Sequence, residues 1–330
     1  MLLSARGMAA RGHEVTIACR AGGILEGRAR SAGIDVQALP FRGDWSPSAA
    51  VLLARLAHRV HPEVVHAHDP HALAAALVIA APRVASRRVD FAIHGRASRW
   101  KYGRCRRILA VSGAVAAVLR RDGIARDRVR VVYEGVPDRR AEPGGRAMLE
   151  ALGVPMTSPV VGTVAALTDH KDHRTLLSAA ARVPGAHFVI IGDGAERAAL
   201  QVQAAELGLG TRVIFAGFRE DLDRLIPAFD VFCLSSKMEG LGTSLLDAMC
   251  FARPVVATAA GGIPEAVEDG VTGRVVPVQD PAALAAALVA VLEDAPERAR
   301  LGAEGRRRFE SRFSADRMVE ATLAVYAEIA

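Results

Sequence analysis

The chain has 330 residues, 51% of them hydrophobic, and a net charge of +6. That length supports two domains with separate cores, and mild basicity suits an anionic small ligand or a membrane surface as well as nucleic acid. Aromatics make up only 5%, no zinc-finger spacing or RNA-binding signature occurs, and the apolar runs 73–81 and 282–292 are too short to span a bilayer, so nucleic acid is set aside as a partner and no membrane span is expected.

Apolar strand patterns alternate with helical periodicity from end to end. Strands are predicted at 13–18, 34–39, 63–68, 84–90, 107–111 and 129–132, and then at 160–165, 187–191, 213–216, 231–234, 254–257 and 274–276. Helices fill the intervals, among them 172–183, 196–207 and 282–292. This alternation predicts α/β architecture: two doubly wound Rossmann-like domains facing each other across a cleft, with ligand at the carboxyl ends of the strands. The polar stretch 137–145 breaks the pattern and reads as a linker, which divides the chain into domains 1–145 and 146–330. The tail from 296 is helical, and Arg306, Arg307 and Arg308 read as a solvated face.

Residues 1–10 already read as a helix, whereas a doubly wound domain opens with a central strand and a phosphate loop. The expectation is that this strand lies upstream of the given start, since an unpaired place in a buried parallel sheet leaves backbone groups unsatisfied. Cys19, Cys105, Cys233 and Cys250 form no CxxC pair and read as buried thiols of a reducing, cytoplasmic compartment.

The most informative segment runs from Ser235 to Met249. An apolar strand leads through Glu239, Gly240, Leu241 and Gly242 into a helix that carries Asp247. A helix start offers unpaired N–H groups and a positive dipole end to a phosphate, and glycines let a ligand approach the backbone. Thr243 or Ser244 is expected to cap that helix. The competing reading is an ordinary capped helix with a favourable acid near its start.

Other strand ends supply further candidates. Lys171 follows the strand at 160–165 and is one of only three lysines, with Lys101 and Lys237, in a chain whose other cations are arginine. An ammonium there neutralises charge on a departing diphosphate; a solvated loop lysine is the alternative. His66, His68 and His71 lack an obvious fourth ligand and second shell, so no metal is expected; His68, at the strand's carboxyl end, is placed in the crevice. Gly192 belongs to a tight turn after 187–191. Phe218 closes a strand where backbone groups meet a base. The loop Gly261-Gly-Ile-Pro-Glu265 gives a second close approach. The basic stretch from Arg96 to Arg107, with Trp100 and Tyr102, reads either as a surface for anionic lipid or a phosphorylated acceptor, or as a solvated helix face.

The combination of Glu239-Gly-Leu-Gly-Thr-Ser-Leu-Leu-Asp247, Pro254-Val-Val-Ala-Thr258, Gly261-Gly-Ile-Pro-Glu265 and Asp269-Gly-Val-Thr-Gly273 resembles family 4 glycosyltransferases, which have the GT-B fold; His66-Ala-His-Asp-Pro70 and Val111-Ser112 resemble its acceptor-side domain. The resemblance covers nearly the whole chain. It implies transfer of a sugar from a nucleotide-sugar donor, with retention of configuration and without a metal or other cofactor. The implied acceptor is a cell-envelope glycan or glycolipid. The implied catalytic residues are Lys171 at the leaving phosphate, Glu239 at the donor sugar and His68 near the reacting centre. The implied donor site comprises Gly162, Thr163, Gly192, Phe218, Gly240, Leu241, Gly242, Thr243 and, for the ribose, Asp247. Asp247 stands where the family usually has Glu, Thr163 where it often has Arg, and the family's first strand and glycine loop have no counterpart here. The expected place of work is the cytoplasm, with the inner membrane face as a peripheral surface. Two rival readings are a GT-B nucleotide-sugar-binding protein without catalysis and a nucleotide-sugar epimerase.

Overall fold

Parallel strands separated by helices form the framework of the computed structural model, which describes residues 1–40, 47–93 and 95–330. These residues fall into two units, Met1–Pro137 with Ala315–Ala330, and Asp138–Ser314.

The first unit runs α1 (Leu2–Ala9), β1 (Thr16–Arg20), α2 (Ile24–Ser31), β2 (Asp35–Leu39), α3 (Pro47–Val60), β3 (Val65–Ala67), α4 (Pro70–Ala76), β4 (Arg83–Arg87), α5 (Arg96–Gly103), β5 (Arg107–Ala110), α6 (Gly113–Arg121) and β6 (Val129–Val131). Its described strands form two sheets, β1-β2 and β3-β4-β5-β6, every pair parallel. Val84, Leu109, Met318 and Val325 share one core cluster, and Ile17, Cys19 and Val36 share another with Ala5 of α1.

The second unit runs α7 (Gly145–Ala151), β7 (Val160–Val164), α8 (His173–Ala180), β8 (His187–Ile191), α9 (Arg197–Glu206), β9 (Val213–Gly217), α10 (Leu222–Leu225), β10 (Val231–Leu234), α11 (Thr243–Cys250), β11 (Val255–Thr258), α12 (Ile263–Ala266), β12 (Gly273–Val276), α13 (Pro281–Glu293) and α14 (Ala295–Arg308). One parallel sheet takes the order β12-β11-β10-β7-β8-β9. The first strand is therefore central, and the order reverses between β7 and β10. Helices on both faces explain why β8 and β10 are buried at every position and read as unbroken apolar runs. Each fully buried large side chain here, such as Phe188 or Phe232, contributes about 1.5–3 kcal/mol.

The last helix, α15 (Ala315–Ala327), returns to the first unit. Gly7 lets α1 lie against it, since a Cβ there would stand 2.5 Å from Val319. Tyr326 hydroxyl bonds His66 Nδ1 at 2.6 Å, and Glu328 pairs with Arg107 and Arg130 at 2.8 and 2.9 Å.

This division departs from the expected boundary at 145/146. Residues 138–144, read as a linker, belong to the second unit because their charges are spent there. Asp138 takes a two-pronged ion pair from Arg306, at 2.7 and 2.9 Å. Arg139 bridges Asp223 and Asp247, and Glu142 pairs with Arg224 at 2.8 Å. The arginine run also departs from a solvated face. Arg306 holds Asp138, and Arg308 donates to the Ala266 and Glu265 carbonyls at 2.9 and 3.0 Å. Only Arg307 of the three is exposed.

All four cysteines are buried and none is in a disulfide among the described residues, and burial pushes the Cys233 thiol up to about 12. No helix among the described residues is long and apolar enough to cross a membrane.

Candidate active site

The reversal of strand order between β7 and β10 leaves their two following loops side by side at the carboxyl edge of the sheet, the usual ligand position in such folds. These are the loops that carry Lys171 and Glu239.

After β7 the chain forms a short 3-10 turn, Asp169–Lys171, and then passes through Asp172 at φ +48°. That left-handed residue caps α8, accepting from the Thr175 N–H at 3.3 Å and its hydroxyl at 2.7 Å. The β10 loop fastens itself to this turn. Ser235 Oγ donates to the Asp172 carbonyl at 3.0 Å, and Lys237 N–H donates to the His170 carbonyl at 2.9 Å. A third loop supports the second one: Gly262 N–H donates to the Glu239 carbonyl at 3.1 Å.

With both loops locked, the Lys171 ammonium donates directly to Glu239 Oε2, and Ser236 Oγ donates to the same oxygen at 3.3 Å. The two side chains retain 19% and 13% exposure, so the pair is sheltered yet reachable. His173, close by, is buried at 3% exposure, and its Nδ1 meets no partner among the described residues. Burial, and to a lesser degree the Lys171 charge, lowers its pKa to about 4.

Beyond Glu239 the backbone folds through buried Gly240 and Leu241 to Gly242, at φ +86°, which is the N-cap of α11. The expected cap from Thr243 or Ser244 is not made: Thr243 is already the first helical residue, and no side chain caps the helix. Leu245 N–H donates to the Gly242 carbonyl at 2.9 Å, which leaves the Thr243 and Ser244 N–H groups to face an anion. One turn on, Asp247 is held by Arg139, whose other arm reaches Asp223 at 2.8 Å. Burial raises the Asp247 pKa, and the Arg139 charge opposes that rise.

The other expected donor residues divide. Gly192, at φ +139°, sits where a Cβ would stand 1.9 Å from the Ala165 carbonyl oxygen, so it brings the end of β8 against the loop after β7. Phe218 follows β9 and is 74% exposed. Gly162 does not share the rim. It lies inside β7 beneath the Phe229 ring, where a Cβ would approach within 2.0 Å, so its lack of a side chain is a packing requirement. Thr163 is buried within the same strand.

His68 belongs to the first unit, just after β3. Its ring stacks on His66 at 4.1 Å between centroids, and Arg88 Nη2 lies 3.3 Å from Nδ1. Burial first, then the neighbouring His66 ring, the terminal amine and Arg88, lowers its pKa and keeps it neutral. An arginine can only donate, so Nδ1 accepts and the proton resides on Nε2. Among the described residues no three His, Cys, Asp or Glu side chains gather as a metal site.

Four contributors escaped the sequence reading. Ser235 and Ser236 looked like loop residues, although adjacent small hydroxyls after a buried strand mark a laced turn. Arg139 was hidden in the supposed linker. The unpaired His173 had no sequence signal.

Comparison with known proteins agrees with this architecture. The family model described as glycosyl transferases group 1 matches residues 139–308, and the one described as Glycosyltransferase Family 4 matches residues 2–140. A lipopolysaccharide core biosynthesis glycosyltransferase of Rhizobium meliloti is 33% identical over 60% of this chain, which there spans 58% of the relative's own length. A 2-deoxystreptamine N-acetyl-D-glucosaminyltransferase of Streptomyces fradiae is 30% identical over 76% of this chain and 68% of its own. The crystal structure of HepE from Anabaena with UDP and glucose superposes with a TM-score of 0.87 at 22% identity, covering 99% of this chain and 94% of that one. A glycosyltransferase from Rickettsia africae gives 0.88 at 19% identity over 99% and 93%. The fold is GT-B, and the chain belongs to the group 1 glycosyltransferases.

Proposed function

We propose that the chain is a glycosyltransferase that moves a sugar from a nucleotide-sugar to a cell-envelope glycan or glycolipid acceptor. The observation that carries this reading is the contact of Lys171 with Glu239 beside the uncapped start of α11. A diphosphate seated on the α11 N–H groups meets the Lys171 charge, and Glu239 accepts from sugar hydroxyls. Asp247 meets the ribose. Gly192 and Phe218 border the base, and His68 is assigned a role near the reacting sugar. Nucleotide-sugar donors are supported by the UDP and UDP-glucose complexes of Anabaena HepE, and an envelope acceptor by the Rhizobium relative.

In this reading transfer occurs on one face of the sugar. The acceptor oxygen bonds to the anomeric carbon as the bond to the diphosphate oxygen breaks, and the acceptor's proton passes to the leaving diphosphate. The configuration is retained and no metal or other cofactor takes part. The proposed place of work is the cytoplasm at the inner membrane face; contact with a membrane surface is supported by α5, where Trp100 is 54% exposed and lies under the Arg104 guanidinium at 4.9 Å.

The test is a panel of nucleotide-sugars incubated with envelope glycolipid extract, with and without chelator, following nucleoside diphosphate release and product linkage. Acceptor-dependent release in chelator, giving a retained linkage and lost in Lys171→Ala, is the expected result. Binding without transfer would favour a non-catalytic scaffold, and sugar isomerisation without acceptor an epimerase; either would end the proposal.

A further inference from the structure

Glu239 Oε2 takes two hydrogen bonds at once, from the Lys171 ammonium and from the Ser236 hydroxyl. A carboxylate oxygen has about two lone-pair places, so these two partners fill it. They are held in different ways. Lys171 carries its charge on a flexible four-carbon stem and keeps 19% exposure. Ser236 is fully buried, and its backbone is pinned on several sides. The hydroxyl of Thr258, also fully buried, donates to the Ser236 carbonyl. The residues on either side are tied to the loop after β7, Ser235 through its hydroxyl to the Asp172 carbonyl and Lys237 through its N–H to the His170 carbonyl. The Ser236 hydroxyl has one proton to give, and a carboxylate is the stronger class of acceptor for it.

The two partners part company when a nucleotide-sugar binds. In the function proposed above, on which this inference rests, the diphosphate meets the Lys171 charge. The ammonium is then shared between a carboxylate and a diphosphate, and its hold on Oε2 weakens. A place on that oxygen opens toward a sugar hydroxyl at the moment when the carboxylate loses its charged tether. The serine contact takes no part in this exchange, because its backbone ties involve no phosphate-binding group.

We infer that Ser236 is a positioning residue for sugar recognition: its buried hydroxyl keeps the Glu239 carboxylate in the orientation that accepts sugar hydroxyls while the diphosphate draws the Lys171 ammonium away. The hydroxyl acts through Glu239 and touches no ligand. Its contribution therefore appears with the sugar moiety and not with the nucleotide moiety.

That split is the test. Calorimetric titrations compare the parent with Ser236→Ala and with Ser236→Cys, which keeps the size and weakens the donor, each alone and combined with Glu239→Ala. The probes are UDP-glucose and UDP or, where the parent binds another nucleotide-sugar of the panel more tightly, that compound and its own nucleoside diphosphate. Ser236→Ala is expected to weaken nucleotide-sugar binding about tenfold, the scale of one hydrogen bond to a charged group, while nucleoside diphosphate binding stays within about twofold. Ser236→Cys should show the same split with a smaller loss, which keeps the test open if the alanine variant folds poorly by thermal unfolding. In the Glu239→Ala background neither serine variant should have a further effect. In steady-state transfer the KM for nucleotide-sugar should rise and kcat change less. Equal weakening of both ligands, a loss that persists without the Glu239 carboxylate, or unchanged nucleotide-sugar affinity in a folded serine variant would overturn the inference and leave the proposed function standing. A folded parent that binds no nucleotide-sugar of the panel would overturn both.

Discussion

The Lys171 ammonium and the Glu239 carboxylate meet directly although they come from loops after different strands, β7 and β10. The contact exists because those strands are neighbours at the point where the sheet order reverses, and because Ser235 and Lys237 tie one loop to the other. Lys171→Ala is expected to lower kcat by about 10²–10³-fold, the usual scale for one charge-stabilising donor. Glu239→Gln should act mainly on donor recognition, raising KM about tenfold, since it weakens hydroxyl acceptance and removes the carboxylate charge that faces Lys171. Steady-state kinetics with a fixed acceptor check both; near-normal kcat in the lysine variant would remove Lys171 from the chemistry.

Arg139 holds two acids, Asp223 and Asp247, and removing it leaves both without their shared cation. Arg139→Ala should therefore destabilise by about 2–3 kcal/mol, below the 3–5 of a fully buried pair because these groups keep some exposure. The sign with pH follows from Asp247. Its folded pKa already lies above the unfolded value, and loss of Arg139 raises it further. Ionisation above that raised value then opposes folding, while below the unfolded pKa both states are protonated. The stability deficit of the variant should thus be larger at pH 7 than at pH 4 in urea unfolding. A deficit that is constant with pH would show that Arg139 acts by packing on Phe251 alone, whose ring lies 5.7 Å away.

The division between what the sequence disclosed and what it hid has a physical basis. Strand and helix alternation is written in apolar periodicity, so the parallel sheets were legible, and so was the loop–helix unit from Glu239 to Asp247. Ion pairing is not periodic. Residues 138–144 looked like a solvent-exposed linker because they are polar, yet Asp138 and Arg139 find partners far away in sequence, at Arg306 and Asp247. The return of α15 to the first unit was likewise unreadable, since a helix's apolar stripe does not name the surface that covers it. Gly162 gave a third lesson: the family resemblance implied a place for it in the donor site, whereas the ring of Phe229 occupies the space its Cβ would need.

That last assignment leads to a test by rescue. Gly162→Ala places a methyl group into the Phe229 ring and should cost about 1–3 kcal/mol through overpacking. Phe229→Leu in the same chain makes room, so the double variant should recover much of that loss beyond additivity. Donor affinity should follow stability in all three. If the double variant regained its Tm but bound donor at least tenfold more weakly, Gly162 would have a ligand role after all.

His173 predicts an acid response that is separable from the rest of the protein. It is buried beside Lys171, and its folded pKa of about 4 lies below the ordinary value of 6.5. Between those limits the unfolded chain binds the proton and the folded chain does not, so stability is fully present above pH 6.5 and is lost as pH falls toward 4. One such group costs about 1.4 kcal/mol per pH unit, or about 2 kcal/mol between pH 6.5 and 5. His173→Leu keeps an apolar side chain of similar length and cannot titrate. The loss of unfolding free energy over that interval should therefore be smaller in the variant than in the parent by about 2 kcal/mol, while His66 and His68 continue to contribute equally to both. Identical pH profiles in the two proteins would mean that His173 is hydrated in the folded state, and that the pocket beside Lys171 admits water to its Nδ1.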